Sequence, residues 1–457
     1  MTETLVVGAG VAGLVLAREL VLQGRTVRVL EASNRAGGQV ERHEVGGIPL
    51  DAGAEAFATR GGIVRTYLER LGLADRIISP LDAPAWLHAR DGLTVPLPRV
   101  SLMGIPSIPL AADVVRVVGR RAAWRGMLDL MLPAARGAKA ATLGELVRTR
   151  MGDGILERLV APVVEGIHSK HPDDLPVSTV PGLAEGLRRQ HSLAHAVTRM
   201  RVDAPAGSLI AGLDGGMATL VEALLAELER YGVPVEYGVR VAEAHADHVV
   251  LASSTSAAGA GRADSAALAN SAAPAEPEVR WGDVMIAAPG LIDSADGHPA
   301  VTTTTHLITL VVDSPELLGA PRGTGVLVAR GTTVRARAVT HLSAKWAWVR
   351  EAGQGREVLR LSYESAPDVE EALRDASVLL GVPLPRQRLV DSAASTWQRA
   401  SRITPPDGIT LVGEQVAGTG LAAVIDHARR TAVHEDEQGA RHTAEQLGQR
   451  ARKKETS

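Results

Sequence analysis

TLVVGAGVAGLVLARELVLQGRTVRVLE, residues 4–31, is the stretch of sequence that decides the fold. Leu5–Val7 is a short apolar run that predicts a buried strand, and Gly13–Gln23 carries apolar residues at helical spacing. A second apolar run, Thr26–Leu30, follows Gly24 and predicts a second strand. Strand, helix and strand in this order predict a βαβ unit of a parallel sheet.

The turn between the first strand and the helix carries a glycine pattern that suits a dinucleotide. The pattern is Gly8, Ala9, Gly10, Val11, Ala12 and Gly13. Gly8 allows a tight turn, Gly10 lets the backbone approach a pyrophosphate, and Gly13 lets the helix pack closely on the strand. Glu31 ends the second strand, where a carboxylate accepts hydrogen bonds from ribose hydroxyls. An isolated glycine pattern also occurs in ordinary turns, but the complete unit predicts dinucleotide binding.

The composition limits the classes of function. A chain of 457 residues is too long for one core, so we expect two or three domains. A net charge of −3 argues against nucleic-acid binding, which needs a basic excess. Cysteine is absent, which excludes disulfides, thiolate metal sites and a flavin linked through cysteine. We expect a cytoplasmic protein, because the sequence shows neither a signal-peptide pattern nor a long apolar run.

A second motif follows Glu31 directly. Residues 31–38 read EASNRAGG, and residues 50–55 read LDAGAE. Here the sequence resembles the flavin-containing amine oxidase superfamily, in which a glycine pair passes the cofactor's phosphates and an Asp-x-Gly segment reaches the flavin ring. The resemblance implies FAD contacts from Ala32, Arg35, Gly38, Gln39, Gly53, Ala54, Glu55 and Ala56. Without the resemblance, Gly37-Gly38 would be an ordinary turn.

A third motif lies far away in the chain. Residues 411–421, LVGEQVAGTGL, lead into a helix and again join a strand, a glycine-rich turn and a helix start. A second helix N-terminus suits the ribityl chain and the flavin O2 edge, where negative charge develops on reduction. The predicted contacts in the later part of the chain are Val241, Trp397, Gly413, Thr419, Gly420 and Leu421. Val241 is the adenine-side contact by resemblance.

Further segments narrow the resemblance to the coproporphyrinogen III and protoporphyrinogen oxidases of high-GC Gram-positive bacteria. They include DAGAEAFATRGG (51–62), PVVEGIHSKHPDDLPV (162–177) and THLSAKWAWV (340–349). The resemblance implies non-covalent FAD, a porphyrinogen substrate and O2. A methylene bridge gives a hydride to the flavin, a pyrrole N–H loses its proton, and O2 reoxidises the flavin to give H2O2. Three rounds remove six electrons.

The substrate carboxylates require basic side chains. Arg60 is our first candidate, because a guanidinium binds a carboxylate through two hydrogen bonds, and Lys345 is the second. A solvated surface charge is an equally good interpretation of each. His168 and His171 are interpreted as surface histidines, and we predict no metal site.

The predicted fold class is α/β: a discontinuous Rossmann-type FAD-binding domain, an inserted substrate domain with a mixed sheet, and a helical subdomain. The mixed sheet is predicted from strands at 305–311, 335–349 and 356–363, and residues 252–279 are predicted to be a disordered loop. The predicted divisions are 1–75, 206–295 and 396–432 for FAD, 76–205 for the helical region, 296–395 for the sheet, and 433–457 for a polar tail.

Three other functions stay open. An amine oxidase needs aromatic rings beside the flavin, but aromatic residues are only 2% of the chain, and no tyrosine lies in the C-terminal motif. A carotenoid desaturase would need a long apolar tunnel. A non-catalytic flavoprotein stays possible, because the segment after Trp397, 398–410, is shorter than in the oxidases it resembles.

One segment leaves membrane contact open. Residues 103–137 alternate apolar patches with arginines, a pattern of either an interfacial helix or a helix packed on its own domain. We favour the packed helix, with weak peripheral membrane contact as the alternative.

Overall fold

The computed structural model describes residues 3–59, 61–168, 170–202, 210–252, 277–295, 302–400 and 402–435. The strands are β1 (Thr4–Val7), β2 (Val27–Leu30), β3 (Arg42–Val45), β4 (Ile48–Asp51), β5 (Phe57–Ala58), β6 (Ile77–Ile78), β7 (Ala85–His88), β8 (Thr94–Pro96), β9 (Ser101–Leu102), β10 (Ile105–Pro106), β11 (Ile210–Leu213), β12 (Val235–Glu236), β13 (Val241–Ala244), β14 (His248–Leu251), β15 (Val279–Trp281), β16 (Asp283–Ile286), β17 (Thr302–Val312), β18 (Gly325–Val328), β19 (Ala338–His341), β20 (Glu357–Tyr363), β21 (Leu389–Ala400) and β22 (Thr410–Leu411).

The α-helices are α1 (Val11–Leu22), α2 (Ile63–Arg70), α3 (Ala112–Val118), α4 (Arg120–Met127), α5 (Leu143–Met151), α6 (Asp153–Ile155), α7 (Ala161–His168), α8 (Leu183–Gln190), α9 (Leu193–Val202), α10 (Ala218–Arg230), α11 (Leu342–Lys345), α12 (Ala347–Gly353), α13 (Val369–Leu380), α14 (Glu414–Ala417) and α15 (residues 421–435). Among the described residues, no helix combines the length and the apolar character needed to cross a bilayer.

A parallel sheet of order β12-β2-β1-β16-β22 organises the N-terminal unit. β1 pairs in parallel with both β2 and β16, and β22 adds to the far side of β16. The apolar side chains of α1 and α10 are buried in one core, which also includes residues of α15. The predicted βαβ unit and the α/β fold class are confirmed. The sheet is built from three distant parts of the chain.

A mixed sheet of order β21-β17-β20-β19-β18-β7-β8 forms the second layer. The strands predicted at 305–311 and 356–363 are confirmed as β17 and β20, which pair antiparallel along seven residue positions. β21 pairs with β17 as far as Ala400, so the sheet extends past residue 395. The division into domains is otherwise retained as a proposal.

The strand predicted at 335–349 is correct only over Ala338–His341. Beyond it the chain forms α11 and α12, because Leu342, Trp346 and Val349 follow the i, i+4, i+7 spacing of a helix and pack into one buried cluster. The alternation in SAKWAW gave a misleading strand pattern. The prediction of a mainly helical 76–205 also missed a hairpin, since β7 and β8 join the mixed sheet.

Two further segments differ from the structure that their sequence indicates. Residues 233–241, VPVEYGVRV, have the apolar character of a single strand, but they are divided at Gly238, whose φ of 73° turns the chain from β12 in one sheet to β13 in another. Val241 therefore begins a strand and does not end one. The loop predicted at 252–279 lies mostly outside the described residues, and its last residue, Val279, begins β15. The predicted tail begins inside α15, and residues 436–457 lie outside the described part.

Helices α3 to α9 pack around a separate apolar core. Val114, Val118 and Ala123 from α3 and α4 are buried in this cluster together with residues of α5, α8 and α9. The segment 103–137 therefore packs on its own domain through one face, as favoured from the sequence.

Candidate functional site

The first glycine turn has the geometry that a dinucleotide requires. Gly8 adopts a φ of 103°, and a Cβ added at Gly13 would collide with the Gly8 carbonyl oxygen. A Cβ added at Gly10 would meet no atom within 4 Å, so this turn borders open space. Gly10 caps α1 without a side-chain hydrogen bond, which leaves the N–H groups of the first turn available to a ligand.

Glu31 lies against this turn. Its Oε2 accepts a hydrogen bond from the Ala9 N–H at 2.7 Å, and its Oε1 accepts one from the Ser33 N–H at 2.8 Å. The carboxylate is therefore held at the end of β2, beside the glycines that follow β1. A carboxylate oxygen accepts more than one hydrogen bond, so this arrangement leaves capacity for ribose hydroxyls.

The glycine pair of the second motif packs directly onto the first turn. The Gly37 N–H donates to the Ala9 carbonyl oxygen at 2.8 Å, and Gly37 forms a parallel bridge with Gly10. A Cβ added at Gly38 would lie 3.5 Å from the Gly10 Cα. Arg35 is exposed and pairs with Glu41 at 2.7 Å, and Ala32 is also exposed.

The Asp-x-Gly segment continues the same surface. The Ala54 N–H donates to the Gln39 carbonyl oxygen at 2.9 Å. A Cβ added at Gly53 would collide with that oxygen and would lie 3.2 Å from the Trp397 ring. The Trp397 Nε1–H donates to the Ala52 carbonyl oxygen at 3.1 Å. Trp397 thus lies beside the predicted flavin-facing segment, although it belongs to β21 of the mixed sheet.

The third motif reaches the first glycine turn across about 400 residues of sequence. Gly413 has a φ of 105°, and a Cβ there would lie 3.2 Å from the Ala12 Cβ. The Gln39 Nε2–H donates to Glu414 Oε2 at 3.1 Å. Added Cβ atoms at Gly418 and Gly420 would meet nothing within 4 Å, so the start of α15 also borders open space. The glycine-rich segment that leads into α15 therefore adjoins the start of α1 at Gly413.

For some residues that the sequence predicts to contact FAD, the structure shows no interaction with this surface. Val241 is buried with Leu30 and Val7 in the cluster under the parallel sheet. Thr419 is exposed and Leu421 half-buried at the start of α15. Ala56 is half-buried and packs against the cluster beneath the mixed sheet. Arg60 and the His168 side chain lie outside the described residues. His171 accepts a hydrogen bond from the Asp173 N–H at 3.2 Å, which gives it a structural role.

A layer of buried charges lies beneath the Asp-x-Gly segment, and the sequence did not predict it. Arg360 on β20 donates to the carbonyl oxygens of Gly53, at 3.1 Å, and of Asp51. Lys345 pairs with Glu55 at 2.5 Å, and Arg360 lies 3.7 Å from the other Glu55 oxygen. Burial opposes ionisation of Glu55, but Lys345 and Arg360 outweigh it and lower the pKa of that carboxyl group.

This layer changes the interpretation of Lys345. Its ammonium group is mostly buried and is already engaged by Glu55, so a substrate carboxylate would have to compete with an ion pair. Lys345 also lies over the Trp346 ring, with Nζ 5.4 Å from the ring centroid. The sequence places Glu55 near the flavin and Lys345 near the substrate by resemblance. No feature of the sequence indicates that the two side chains form an ion pair.

Asp51 is the second feature that the sequence did not reveal. Its carboxylate accepts the Met217 and Ala218 N–H groups at 2.9 and 3.1 Å, and it thereby caps α10. Burial raises the pKa of Asp51 to about 6, although these two hydrogen bonds oppose the increase. The glycines of the GLDGGM turn are the feature of the sequence that could have indicated this contact. A Cβ at Gly216 would lie 2.8 Å from Asp51 Oδ1, so only glycine leaves room for the carboxylate.

A charged cleft of about 350 Å³ lies elsewhere, between α7 and the end of the mixed sheet. Three arginines line it, and each is paired with a carboxylate: Arg330 with Glu165, Arg335 with Glu371, and Arg337 with Glu364. None of its lining residues belongs to the glycine turns, so the cofactor is not assigned to this cleft. In the described part of the chain, no group of three or more His, Cys, Asp or Glu residues is arranged to hold a metal ion.

The sequence model of the flavin containing amine oxidoreductases matches residues 11–301, which is more than half of the chain. This chain belongs to that family. The match begins inside the first glycine turn, at residue 11, and includes the glycine pair and the Asp-x-Gly segment.

Relatives within the family share most of the chain. A coproporphyrinogen III oxidase of Mycobacterium leprae is 30% identical over 437 residues, covering 92% of this chain and 92% of the relative. A coproporphyrinogen III oxidase of Staphylococcus aureus is 24% identical and covers 80% of this chain and 79% of the relative. A candidate protoporphyrinogen oxidase from Exiguobacterium has a similar crystal structure, with a TM-score of 0.76, 21% identity, and coverage of 96% of this chain and 99% of the other. That structure supports the fold alone.

Proposed function

We propose that this family member is an FAD-dependent oxidase that converts coproporphyrinogen III, or protoporphyrinogen IX, to the porphyrin, with O2 as acceptor and H2O2 as product. The reaction belongs to heme biosynthesis, and the absence of cysteine fits a reducing cytoplasm. The observation that carries the proposal is the convergence of two glycine-rich helix starts in a chain similar to coproporphyrinogen III oxidases along most of its length.

The residues of the site fit FAD held without a covalent bond. The N–H groups at the start of α1 suit the pyrophosphate, and the carboxylate of Glu31 suits the ribose hydroxyls. The start of α15 supplies a second positive helix end for the flavin O2 edge. Gly53 leaves room for a ring system next to Trp397, where any larger side chain would collide with Gln39.

FAD bound at this site would supply the two-electron oxidation of a porphyrinogen methylene bridge and its neighbouring pyrrole N–H, with O2 as the final acceptor and H2O2 as the product. Three such rounds remove six electrons and six hydrogens in all, and yield three H2O2. The protein orients the macrocycle. The buried layer of Arg360, Glu55 and Lys345 holds the flavin-facing backbone from behind, through the Gly53 and Asp51 carbonyl oxygens.

The substrate carboxylates are assigned to Arg60 first and Lys345 second. For Arg60 we expect Arg60→Met to raise the KM for coproporphyrinogen at least about 10-fold with a smaller change in kcat, because a two-point contact to a carboxylate is removed. Arg60→Lys should recover only part of the loss, since an ammonium group makes a single-point contact. An unchanged KM in both variants would remove Arg60 from the site.

Turnover of both porphyrinogens in air tests the proposed function. The purified protein, loaded with FAD, is mixed with each substrate, and porphyrin fluorescence and peroxide are followed. We expect three peroxides per porphyrin. No turnover of either substrate with flavin fully bound would support the non-catalytic flavoprotein, for which the short segment 398–410 is the relevant feature. Rapid flavin reduction by an amine would instead indicate an amine oxidase.

The described structure supplies one argument against the amine oxidase. Tyr67 is buried in the core of the parallel-sheet unit, and Tyr363 is buried with its hydroxyl 3.1 Å from Asp375. Tyr231 and Tyr237 lie on the surface. The four tyrosines of the chain therefore do not form an aromatic clamp next to Gly53, which is the arrangement that binds a cationic amine.

A further inference from the structure

The charged cleft between α7 and the mixed sheet is lined by a buried carboxylate that has one unused oxygen. Glu165 is only 8% exposed, and its Oε2 pairs with Arg330 Nε at 2.9 Å. In the described part of the chain, no group donates a hydrogen bond to the other oxygen, Oε1, although that atom is buried. A buried carboxylate oxygen without a donor is costly, and such atoms are rare in folded proteins. A ligand in the cleft would supply the donor.

The other charges of the cleft are already matched. Arg335 donates to Glu371 Oε1 and to Ser365 Oγ, both at 2.6 Å. Arg337 donates to Glu364 Oε1 at 3.1 Å. Three arginines thus face three carboxylates, so a ligand carboxylate would have to displace one of them, and a cationic ligand would meet three guanidinium groups. The unused capacity is an acceptor, and a neutral N–H or O–H donor fits it.

The cleft lies at the end of an open row of side chains on the mixed sheet. Directly paired residues of neighbouring strands point to the same face of a sheet. The row consists of such pairs on five strands, and its half-buried members are Ser395, Leu307, Ser362, Ala338 and Leu327. Ser395 donates to the Ala52 carbonyl oxygen at 2.8 Å. The row therefore lies on the face against which the Asp-x-Gly segment packs.

Helix α7 covers the far end of this row. A Cβ added at Gly166 would lie 2.6 Å from Leu327 Cδ2, so the preceding residue, Glu165, lies beside β18. Four strand spacings separate β18 from β21, a distance of about 19 Å. A substrate that meets the flavin near Gly53 and also reaches Glu165 has to extend across several strands, as a tetrapyrrole does.

We propose that Glu165 accepts a hydrogen bond from a pyrrole N–H group of the porphyrinogen. This inference rests on the proposed function, which makes the porphyrinogen the substrate. At neutral pH the propionates are ionised and only accept hydrogen bonds, so the pyrrole N–H groups are the donors of this substrate. The Arg330 side chain is 57% exposed, so the ion pair can follow a small rotation that turns Glu165 Oε1 towards the ligand.

The contact distinguishes the substrate from the product. The saturated carbon bridges of a porphyrinogen let the pyrrole rings tilt, so their N–H groups project out of the macrocycle. The porphyrin is flat, and its two remaining N–H groups lie inside the ring, where a side chain at the protein surface of the cleft does not reach them. Glu165 therefore binds the porphyrinogen and not the porphyrin, which favours release of the product.

Binding without turnover tests the proposal. The FAD-loaded full chain is reduced with dithionite, kept free of O2 and titrated with coproporphyrinogen III, and quenching of the tryptophan fluorescence gives the Kd. We expect Glu165→Leu to raise this Kd at least about 10-fold, because a hydrogen bond to a charged acceptor is lost. Glu165→Gln keeps a neutral acceptor oxygen and should lose less. The Kd for coproporphyrin III should be unchanged in both variants.

Glu364→Leu is the matched control. Glu364 lines the same cleft, but its side chain is 68% exposed and already accepts from Arg337, so its replacement should leave both Kd values unchanged. Thermal unfolding of each variant checks that the fold is intact. An unchanged Kd for coproporphyrinogen in Glu165→Leu would overturn the proposal, as would an equal rise for the porphyrin or in Glu364→Leu. Turnover of the wild type in air is a separate assay, so a failure of the proposed reaction is recognised independently of this titration.

Discussion

At the scale of single residues, the ion pair between Lys345 and Glu55 gives the sharpest prediction. Replacing Lys345 with Met leaves Glu55 in a mostly buried position with only Arg360, 3.7 Å away, to oppose its charge. We expect the free energy of unfolding to fall by about 2 to 4 kcal/mol, somewhat less than for a fully buried pair. Urea unfolding at neutral pH measures this change.

A second variant separates this structural role from substrate binding. Lys345→Met combined with Glu55→Gln removes both charges of the pair but also takes a carboxylate away from buried Arg360, so it should recover only part of the lost stability. If the single and double variants unfold at the same urea concentration, the pair is not what stabilises this layer. A substrate role for Lys345 would appear separately, as a rise in KM that persists in the double variant.

His43 predicts a pH dependence of stability. Burial, followed by the charges of Arg360 and Arg35, lowers the pKa of His43 from 6.5 to about 4. Because the unfolded chain then binds the proton at higher pH, the contribution of His43 to stability is complete above pH 6.5 and is lost as the pH falls towards 4. His43→Gln should flatten the decrease in Tm between pH 6.5 and 4.

The ionisation of Asp51 changes the stability in the opposite direction over part of the pH range from 6.5 to 4. Its pKa is raised to about 6, so its contribution is complete below the unfolded value near 3.8 and is lost as the pH rises through 6. The wild-type profile is therefore expected to be shallower than His43 alone would produce. A profile that is identical in wild type and His43→Gln would contradict the assignment of the proton uptake to His43.

Individual residues were predictable where the backbone alone dictates the choice. Glycine is required at positions 8, 13 and 53 by a tight turn or by the close approach of other backbone atoms. Such requirements appear in the sequence as short glycine motifs. The partners of Glu55 and the position of Arg360 depend on side chains that lie about 290 to 310 positions apart in sequence. No local pattern specifies which distant cation reaches which carboxylate, so the charge layer could not be derived before the fold.

At the scale of secondary-structure elements, the capping of α10 by Asp51 is the main testable feature. Asp51→Ala leaves the Met217 and Ala218 N–H groups without their acceptor, and we expect a loss of about 1 to 2 kcal/mol. Asp51→Asn keeps one acceptor oxygen and should lose less. Hydrogen exchange of these two amides reports the cap directly. A larger loss in the Asn variant than in the Ala variant would contradict the capping role.

Helices and strands were predictable where the spacing of apolar residues agrees with the glycines that bound the segment. α1 and β2 follow from apolar spacing bounded by glycines, and β17 and β20 from continuous apolar runs. The prediction failed at residues 342–349, where tertiary burial of Leu342, Trp346 and Val349 on one face selects a helix. It failed again at β7 and β8, whose place in the mixed sheet depends on pairing with β18, more than 200 residues away.

At the scale of the whole molecule, the assignment of the glycine turns to FAD predicts that the cofactor stabilises the fold. The proposed FAD surface is formed by three segments remote in sequence, so bound FAD should stabilise their assembly. We expect FAD at 100 times its Kd to raise the free energy of unfolding by about 2.7 kcal/mol. FMN, which lacks the adenosine half that Glu31 is placed to bind, should raise it much less. Thermal scans with matched concentrations of FAD and FMN measure the difference, and equal effects would contradict the assignment of the first glycine turn to the nucleotide.

Titration of the apoprotein with FAD, in wild type, Gly10→Ala and Gly319→Ala, tests the central claim most directly. Added Cβ atoms at Gly10 and Gly319 both meet open space within the protein, so neither change should alter the Tm of the apoprotein. We predict one FAD per chain for wild type and Gly319→Ala, and at least about 10-fold weaker binding for Gly10→Ala, because only there does the methyl group enter the space assigned to the pyrophosphate. A wild-type chain that binds no FAD, or a Gly10→Ala variant that binds it as tightly as wild type, would contradict the account.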